Sequence, residues 1–502
     1  MNKSRRNFLR SSALVGSGIL ATNSVAAQHE GHGKPQPQAP KKETPPQAQS
    51  RVDKPPAPAA SVPIVTPDVP KLPWRMENGV KVFSLTAEVV KREFLPNNPT
   101  GPAKVVDVWG YSGSMPGPTI EVNEGDRVRI VFQNKLPEDT TVHWHGLEVP
   151  VNMDGVPHVS QPMVKPGETF VYEFTLHQNG TFFYHSHGAM QEMMGMIGLF
   201  IIHPKKPHQP AVHKDFGLII QEWAVLPNST IPNTMSMEFN WLTFNGKSGP
   251  AGTPMIVKLG ERVRIRLVNL GMDHHPIHIH GNQFYVTGTE GGRIPESGWF
   301  PGNTVLVGVA QARDVEFDAD VAGDWMLHCH LPHHMMNQMV SMVGPMAHVG
   351  HGMHTGMGME EGMGIVREGN ALSENLGPGL GRGMGIATDR ERATSNAVGT
   401  QQMQGHGMSG QTGQPTMSMD SQMEAKKRVP GYPQDDMMMM MVMDEAVSKP
   451  ETNGLAPGWS SAFQGMMTMV RVLPPDQYEK LMADIKEGRI EKGQKPAEHK
   501  HE

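Results

Sequence analysis

The sequence predicts an all-β protein with two related domains, each a Greek-key β-sandwich or barrel. Polar and apolar residues alternate with a period of two in many short runs, as half-buried strands require. Glycine and proline separate these runs, and helical periodicity is scarce. One strand pattern and the histidine pair that follows it also occur twice at the same spacing, which indicates a duplicated unit.

The duplication is visible in two strand-like stretches, EGDRVRI at 124–130 and LGERVRI at 259–265. Each stretch leads to a His-x-His pair, the first beginning at His143 and the second at His278. The offset from 124 to 259, and from 143 to 278, is 135 residues in both cases.

A further His-x-His pair lies later in each unit, beginning at His185 in the first and at His328 in the second. Both pairs follow an alternating run and a glycine turn, so the order of features is the same in the two halves. We therefore predict one domain over residues 73–205 and a second over residues 206–345.

The N-terminal region predicts export. Residues 1–27 combine a basic opening that contains Arg5 and Arg6, a short apolar run and small residues at the end, as in a cleaved signal of the twin-arginine type. The apolar run is too short to span a bilayer. Residues 28–72 are rich in Pro, Gln, Ala and Lys and are predicted to be a disordered spacer. We expect a periplasmic or extracellular protein without a membrane span.

The four histidine pairs predict metal binding. Side chains at i and i+2 of a strand point to the same face, so each pair presents two imidazoles together and four pairs offer eight ligands. A single pair is weak evidence, because surface histidines are common, but four pairs at matching places in two repeats favour a metal site. Imidazole suits copper, zinc, iron or nickel, and thiolate or thioether ligands shift the choice toward copper. The net charge of −6 gives no indication of nucleic-acid binding.

The only cysteine, Cys329, lies in the stretch GDWMLHCHLPHHMMNQM and excludes a disulfide within the chain. In an extended HCH segment the thiol faces one way and both imidazoles face the other. Cys329, His334 and an imidazole from His275 would form a His₂Cys site, with Met339 as a long axial ligand, which is the ligand set of a blue copper centre. Electrons arriving at Cys329 would then reach a second metal site through one residue's backbone.

These signatures resemble those of the multicopper oxidases, and more closely their two-domain, laccase-like branch, over about residues 75–345. The resemblance implies two cupredoxin-like domains and four copper ions for each functional unit. It assigns the type 1 copper to His275, Cys329, His334 and Met339, the type 2 copper to His143 and His278, and the type 3 pair to His145, His185 and His330 on one ion and His187, His280 and His328 on the other.

Ser186 stands in the first domain where the second has Cys329, so only the second domain can hold a blue copper. This difference weighs against the copper nitrite reductases, which are two-domain relatives with the thiolate in the first domain. His187 and His275 lie 88 residues apart (275 minus 187), which leaves no room for a middle domain. The resemblance therefore implies a homotrimer, with the trinuclear cluster between domain 1 of one subunit and domain 2 of the next.

Asp154 lies eleven residues after His143, which is 154 minus 143. In the family an acid at this spacing approaches the type 2 copper and assists proton delivery, and the alternative is a turn aspartate before Gly155. Related enzymes often carry an acid directly after the ligand that corresponds to His334, whereas this chain has Met335.

The rest of the chain is rich in methionine. Residues 346–428 form a Met-, Gly- and His-rich low-complexity segment that is predicted to be a largely disordered C-terminal extension, and residues 429–502 are predicted to be partly ordered. Thioethers favour Cu(I), so the extension could collect cuprous ions, and the alternative is an apolar tail without a metal role.

Together these features predict an exported multicopper oxidase. It would couple one-electron oxidation of a small donor, a phenol or Cu(I), to four-electron reduction of O₂ to water. Two alternatives stay open, a non-catalytic exported protein that sequesters copper and an enzyme similar to the copper nitrite reductases.

Overall fold

Strands dominate the computed structural model, which describes residues 54–56, 58, 60–99, 101–225, 229–337 and 442–491. The predicted signal at 1–27, most of the spacer and the segment at 346–428 lie outside the described residues. The first domain contains β1 (Trp74–Glu77), β2 (Val80–Leu95), β3 (Lys104–Tyr111), β4 (Gly117–Asn123), β5 (Arg127–Asn134), β6 (Val142–His145), β7 (Thr169–Thr175), β8 (Gly180–Ser186), the short helix α1 (Ala189–Met193) and β9 (Ile197–His203).

The second domain has a similar set of strands. It contains β10 (Lys214–Trp223), β11 (Trp241–Phe244), β12 (Met255–Lys258), β13 (Arg262–Asn269), β14 (His275–Ile279), β15 (Phe284–Thr289), β16 (Gly292–Arg293), β17 (Phe300–Gly302), β18 (Thr304–Val307), β19 (Gln311–Asp318), β20 (Gly323–Cys329), β21 (Met467–Leu473) and helix α2 (Pro475–Glu487).

Each domain is a sandwich of two sheets, which confirms the predicted all-β class. In the first domain the order β1-β2-β5-β7, with β3 on β2, faces the order β4-β9-β8-β6. In the second the order β11-β10-β13-β19-β15-β16, with β17 on β15, faces β12-β21-β20-β14-β18. The duplicated strands β5 and β13 occupy equivalent places, because each pairs in parallel with one neighbour and antiparallel with the other.

The last strand of the second domain comes from far along the sequence. Strand β21 lies between β12, which it pairs in parallel, and β20, which it pairs antiparallel, and all seven of its residues are buried. The predicted boundary at residue 345 is therefore too early. The methionine-rich segment at 346–428 interrupts the second domain in the sequence and is not an extension beyond it.

The predicted spacer also ends earlier than residue 72. Ile64 is fully buried, and the amide of Val65 donates a hydrogen bond of 2.8 Å to the carbonyl of Asp215 in the second domain. A few residues later the amide of Leu72 donates to the carbonyl of Thr119 in the first domain. Residues 60–72 are thus a packed part of the fold, because their apolar side chains find partners that local composition does not reveal.

The two domains of one chain are joined by an apolar layer and a buried polar network. Arg266 donates two hydrogen bonds of 2.8 Å to the carboxylate of Asp215 and one of 2.6 Å to the hydroxyl of Thr181 on β8. Thr181 in turn donates to Asp314 at 2.6 Å, so every charge in this layer has a partner. Within the described residues, no helix has the length and apolar character that crossing a membrane requires.

Candidate metal centres

Three donor atoms meet inside the second domain. Cys329 ends β20, His275 begins β14, and His334 lies in the short 3-10 turn Pro332–Met335. The Cys329 sulfur lies 3.6 Å from Nδ1 of His275 and 3.6 Å from Nδ1 of His334, and the two nitrogens are 3.1 Å apart. These distances are the edges expected around an ion with bonds of about 2.0–2.3 Å, so the predicted His₂Cys set fits a copper ion. Met339 lies outside the described residues.

The strand pairing explains why these residues meet. Ile277 faces Cys329 across the β14–β20 ladder, and His278 faces His328. Because side chains alternate, His275 shares the face of Ile277 and Cys329, while His278 and His328 share the opposite face. The HCH segment therefore separates sulfur from imidazole, as the sequence predicted.

Residues far along the chain form hydrogen bonds to the ligands of the His₂Cys site. The amide of Met466 donates to the carbonyl of His334 at 2.9 Å, and the carbonyl of Met466 accepts from the amide of Cys329 at 3.1 Å. Gly465 has φ +51°, and a Cβ there would lie 2.5 Å from the carbonyl oxygen of His334. This close approach requires glycine, so the segment before β21 closes over the His₂Cys site.

Two carboxylates stand behind the histidines of this site. Oε2 of Glu222 lies 3.0 Å from Nε2 of His275, and Oδ2 of Asp273 lies 3.4 Å from Nε2 of His334. Burial, together with smaller contributions from the charges of Glu222 and Asp273, raises the pKa of the Cys329 thiol to about 12. Metal binding at the sulfur must therefore displace a proton. Sequence reasoning missed both carboxylates.

The first domain brings together four imidazoles on one face. His143 and His145 lie on β6, His185 lies on β8 directly opposite His143, and His187 follows β8. Ring centroids in this group are 5.2 Å apart for His143 and His185 and 5.5 Å apart for His143 and His187. Trp144, between the first two, is fully buried in the core. We call these four residues the first quartet.

The second domain repeats the arrangement. His278 lies on β14 and His328 on β20, and each is followed at i+2 by a further histidine, His280 or His330. The ring centroids of His278 lie 4.9 Å from those of His280 and 5.6 Å from those of His328 and His330. We call these four residues the second quartet.

The two quartets remain apart within one chain. Among the described residues, every ring contact between these eight histidines joins members of the same quartet. The same holds for the groups of ligand atoms close enough to share an ion. Each quartet also has an open side, because His187, His280 and His330 are exposed. A single chain therefore presents two separate groups of four imidazoles.

Main-chain carbonyls orient several of these rings. Nδ1 of His143 lies 2.7 Å from the carbonyl of Asp154, and Nδ1 of His278 lies 2.7 Å from the carbonyl of Asn303. A carbonyl oxygen can only accept, so Nδ1 carries the proton and Nε2 keeps its lone pair for a metal. Burial lowers the pKa of His145 to about 4, with neighbouring imidazoles adding to the effect, so this ring is neutral at neutral pH.

Asp154 touches the first quartet mainly through its backbone. Its carboxylate Oδ1 lies 3.4 Å from Nδ1 of His143, farther than its own carbonyl. Gly155 has φ +86°, and a Cβ there would lie 1.9 Å from the carbonyl oxygen of Val142, so glycine is required to bring residue 154 this close. The predicted part of Asp154 in proton delivery stays a prediction.

Glu192 on α1 is a further residue that the sequence did not reveal. Its Oε1 lies 3.0 Å from Nδ1 of His185, which also contacts the carbonyl of Ser186 at 2.8 Å. The contact depends on the turn of α1 after β8, and no local pattern marks it. Carboxylates therefore lie beside histidines of both the His₂Cys site, where they are Glu222 and Asp273, and the first quartet, where it is Glu192.

Comparison with known proteins agrees with this geometry. Two family models, both described as Multicopper oxidase, match residues 97–207 and 225–345. Copper resistance protein A of Escherichia coli is 35% identical over 134 residues, which are 27% of this chain and 22% of that protein. L-ascorbate oxidase of Cucurbita pepo var. melopepo is 40% identical over 121 residues, 23% of this chain and 22% of that one. The chain belongs to the multicopper oxidase family, whose members are copper-dependent oxidoreductases.

Among solved structures, the blue copper oxidase from Nitrosomonas europaea is 32% identical, covering 51% of this chain and 81% of that one with a TM-score of 0.46. The matches to copper resistance protein A cover about a quarter of the relatives' length.

Proposed function

We propose that the protein is an exported multicopper oxidase that oxidises a small donor one electron at a time and reduces O₂ to water. One observation carries the proposal: the three residues at the end of β20 place Cys329 in a three-donor site and its two neighbours, His328 and His330, in a quartet. Bound copper ions would supply the one-electron chemistry and would hold enough electrons to reduce O₂ fully. The chain itself supplies the covalent connection between the two kinds of site.

We propose the ligand assignment that the resemblance to the multicopper oxidases implies. His275, Cys329 and His334 would hold the type 1 copper, with Met339 as the proposed axial ligand. The quartets would hold the type 2 copper through His143 and His278, and the type 3 pair through His145, His185 and His330 and through His187, His280 and His328. This gives four copper ions for each functional unit. It leaves Asp154 as the proposed proton-delivering group beside the type 2 ion.

A homotrimer would complete the cluster. A head-to-tail contact joins different faces of neighbouring subunits and can close into a ring. Such a contact would bring the first quartet of one subunit to the second quartet of the next, which one chain alone does not do. Exposed apolar residues lie near both quartets, with Val151 and Val159 in the loops around Asp154 and Leu306 in the strand beside His278.

The trimer is tested by placing a charge in this surface. Leu306→Asp is expected to yield monomers that retain the blue absorption but lose the cluster copper and oxidase turnover, because burying an unpaired charge disfavours the contact. Sedimentation, copper analysis and absorption spectra check this result. Val89→Asp is a matched control, since Val89 is similarly exposed on β2 in the other sheet of the first domain. A wild-type monomer with four coppers and full activity would contradict the proposed assembly.

The donor is proposed to be Cu(I), with phenols as the second candidate. Residues 346–428 are rich in methionine and histidine, and thioethers favour Cu(I). The chain leaves the described part at Asn337, three residues after His334, and returns at Val442 in the same domain. The methionine-rich segment is therefore tethered at both ends to the domain that contains the proposed electron entry site.

An internal deletion tests the donor. Removing residues 346–428 keeps Met339 and β21, and it is expected to raise the apparent KM for Cu(I) about tenfold or more, because a tether raises the local concentration of its ligand. Phenol oxidation serves as the control and should change little. O₂ uptake with each donor measures both effects. No O₂ uptake with any donor by fully copper-loaded protein would instead support the sequestration alternative.

The alternative of a nitrite reductase-like enzyme finds no support in the first domain. Ser186 takes the place of Cys329 there, and its hydroxyl lies 2.6 Å from Oε1 of Gln191 and 3.1 Å from the hydroxyl of Thr140. These polar partners fill the region where a thiolate and its copper would stand.

A further inference from the structure

A buried carboxylate lies behind one of the proposed type 1 ligands. Glu222, the penultimate residue of β10, has no exposed side-chain surface, and neither has His275. Oε2 of Glu222 and Nε2 of His275 lie 3.0 Å apart, and within the described residues neither atom has a hydrogen-bond partner. The two atoms are therefore close neighbours in a region closed to water.

Two main-chain hydrogen bonds hold the carboxylate of Glu222 in place. Its other oxygen, Oε1, accepts hydrogen bonds from the amide of Asp273, at 2.7 Å, and from the amide of Met272. These two amides belong to the turn that leads into His275, so the carboxylate holds the turn and faces the ring at the same time. Because Nδ1 of His275 points at Cys329, the nitrogen that faces Glu222 is the one that carries the proton when Nδ1 binds a metal.

We infer that Glu222 is a positioning residue that orients His275 and lowers the reduction potential of the type 1 copper. This inference rests on the proposed function, since it requires copper at the His₂Cys site. A negative charge stabilises Cu(II) more than Cu(I), because the oxidised ion carries one more positive charge. The effect passes through the ring of His275 and is strong because the surroundings exclude water.

Asp273 provides an internal comparison. It stands behind the second ligand, His334, at 3.4 Å from Nε2, but 46% of its side-chain surface is exposed, against 0% for Glu222. Solvent screens an exposed charge, so Asp273 should affect the copper much less. A type 1 copper of low reduction potential oxidises only donors that give up an electron readily. The inference therefore bears on the substrate class, because it favours Cu(I) over electron-poor phenols.

The test is a redox titration of the blue absorption in the full-length, copper-loaded protein. Glu222→Gln is expected to shift the Cu(II)/Cu(I) equilibrium toward Cu(I) at least tenfold, which corresponds to 59 mV for a one-electron couple. Glu222→Asp keeps the charge and should shift it less, and Asp273→Asn should shift it less than twofold. Equal shifts in the Gln and Asp variants, or a shift below twofold in Glu222→Gln, would overturn the inference.

Two further readouts do not depend on turnover. The first is the ratio of the affinity for Cu(II) to the affinity for Cu(I), measured by adding each ion to copper-free protein. This ratio should be at least tenfold lower in Glu222→Gln than in the wild type, and an unchanged ratio would overturn the inference. The second readout serves if the variant does not fold, and it is the NMR signal of the Nε2 proton of His275 in the wild-type Cu(I) form. This proton should exchange slowly with solvent and resonate far downfield. Rapid exchange at an ordinary chemical shift would overturn the inference. A wild-type protein that forms no blue copper would instead overturn the proposed function.

Discussion

Cys329→Ser is expected to abolish the blue absorption and oxidase turnover while leaving the copper of the quartets in place. Serine is nearly the same size as cysteine, but its hydroxyl is not the soft thiolate that a blue copper centre requires. The quartet residues His328 and His330 lie on the opposite face of the strand, so their geometry does not depend on the sulfur. Absorption and electron paramagnetic resonance spectra, together with copper analysis, measure the separate losses.

The chain has no second cysteine that could serve as a matched control. The control is therefore a variant that weakens the packing of the same domain. Val315→Ala, in the buried face of β19, removes core contacts without touching a ligand. It should lower the melting temperature and keep both the blue absorption and turnover. Oxidase activity that persists in Cys329→Ser would refute the proposed electron path through this residue.

A chain truncated after residue 350 is expected to lose the second domain. It lacks β21, whose seven residues are buried between two neighbouring strands, and it lacks Met466, which bonds to both Cys329 and His334. Burying one large apolar side chain contributes about 1.5–3 kcal/mol, so the lost strand is worth on the order of 10 kcal/mol, comparable to the entire stability of a typical domain. Circular dichroism, thermal unfolding and type 1 copper content should all show the loss.

The internal deletion of residues 346–428 is the matched control for this truncation, because it removes the methionine-rich segment and retains β21. The two variants should differ sharply, with only the internal deletion folded and blue. A truncated chain that folds and binds type 1 copper would show that the segment from 442 to 491 is dispensable and would contradict the role given to β21.

Much of the site could be predicted because strands alternate. The period of two in HWH, HSH, HIH and HCH determines which side chains share a face, and the equal offset of 135 residues between 143 and 278 identifies the duplicated domain. The structure brings His275, Cys329 and His334 together as that reasoning predicted. Local patterns are enough where the ligands lie on the same strand or on strands that pair directly.

Other features depend on contacts that local patterns do not reveal. Strand β21 joins its sheet across more than a hundred residues, and its run MTMVRVL has no polar alternation because every residue is buried. Glu222 belongs to β10 and reaches His275 only after the turn before β14 forms. Asp154 was predicted from the spacing of its carboxylate, but its carbonyl makes the shorter contact with His143.

A crystal structure of the copper-loaded protein, with anomalous scattering measured at the copper edge, tests the central claim most directly. We expect one copper bound by Cys329, His275 and His334, and three coppers between the first quartet of one subunit and the second quartet of its neighbour. Copper bound to each quartet separately, with the rings of adjacent subunits far apart and the Cys329 sulfur free of metal, would contradict it.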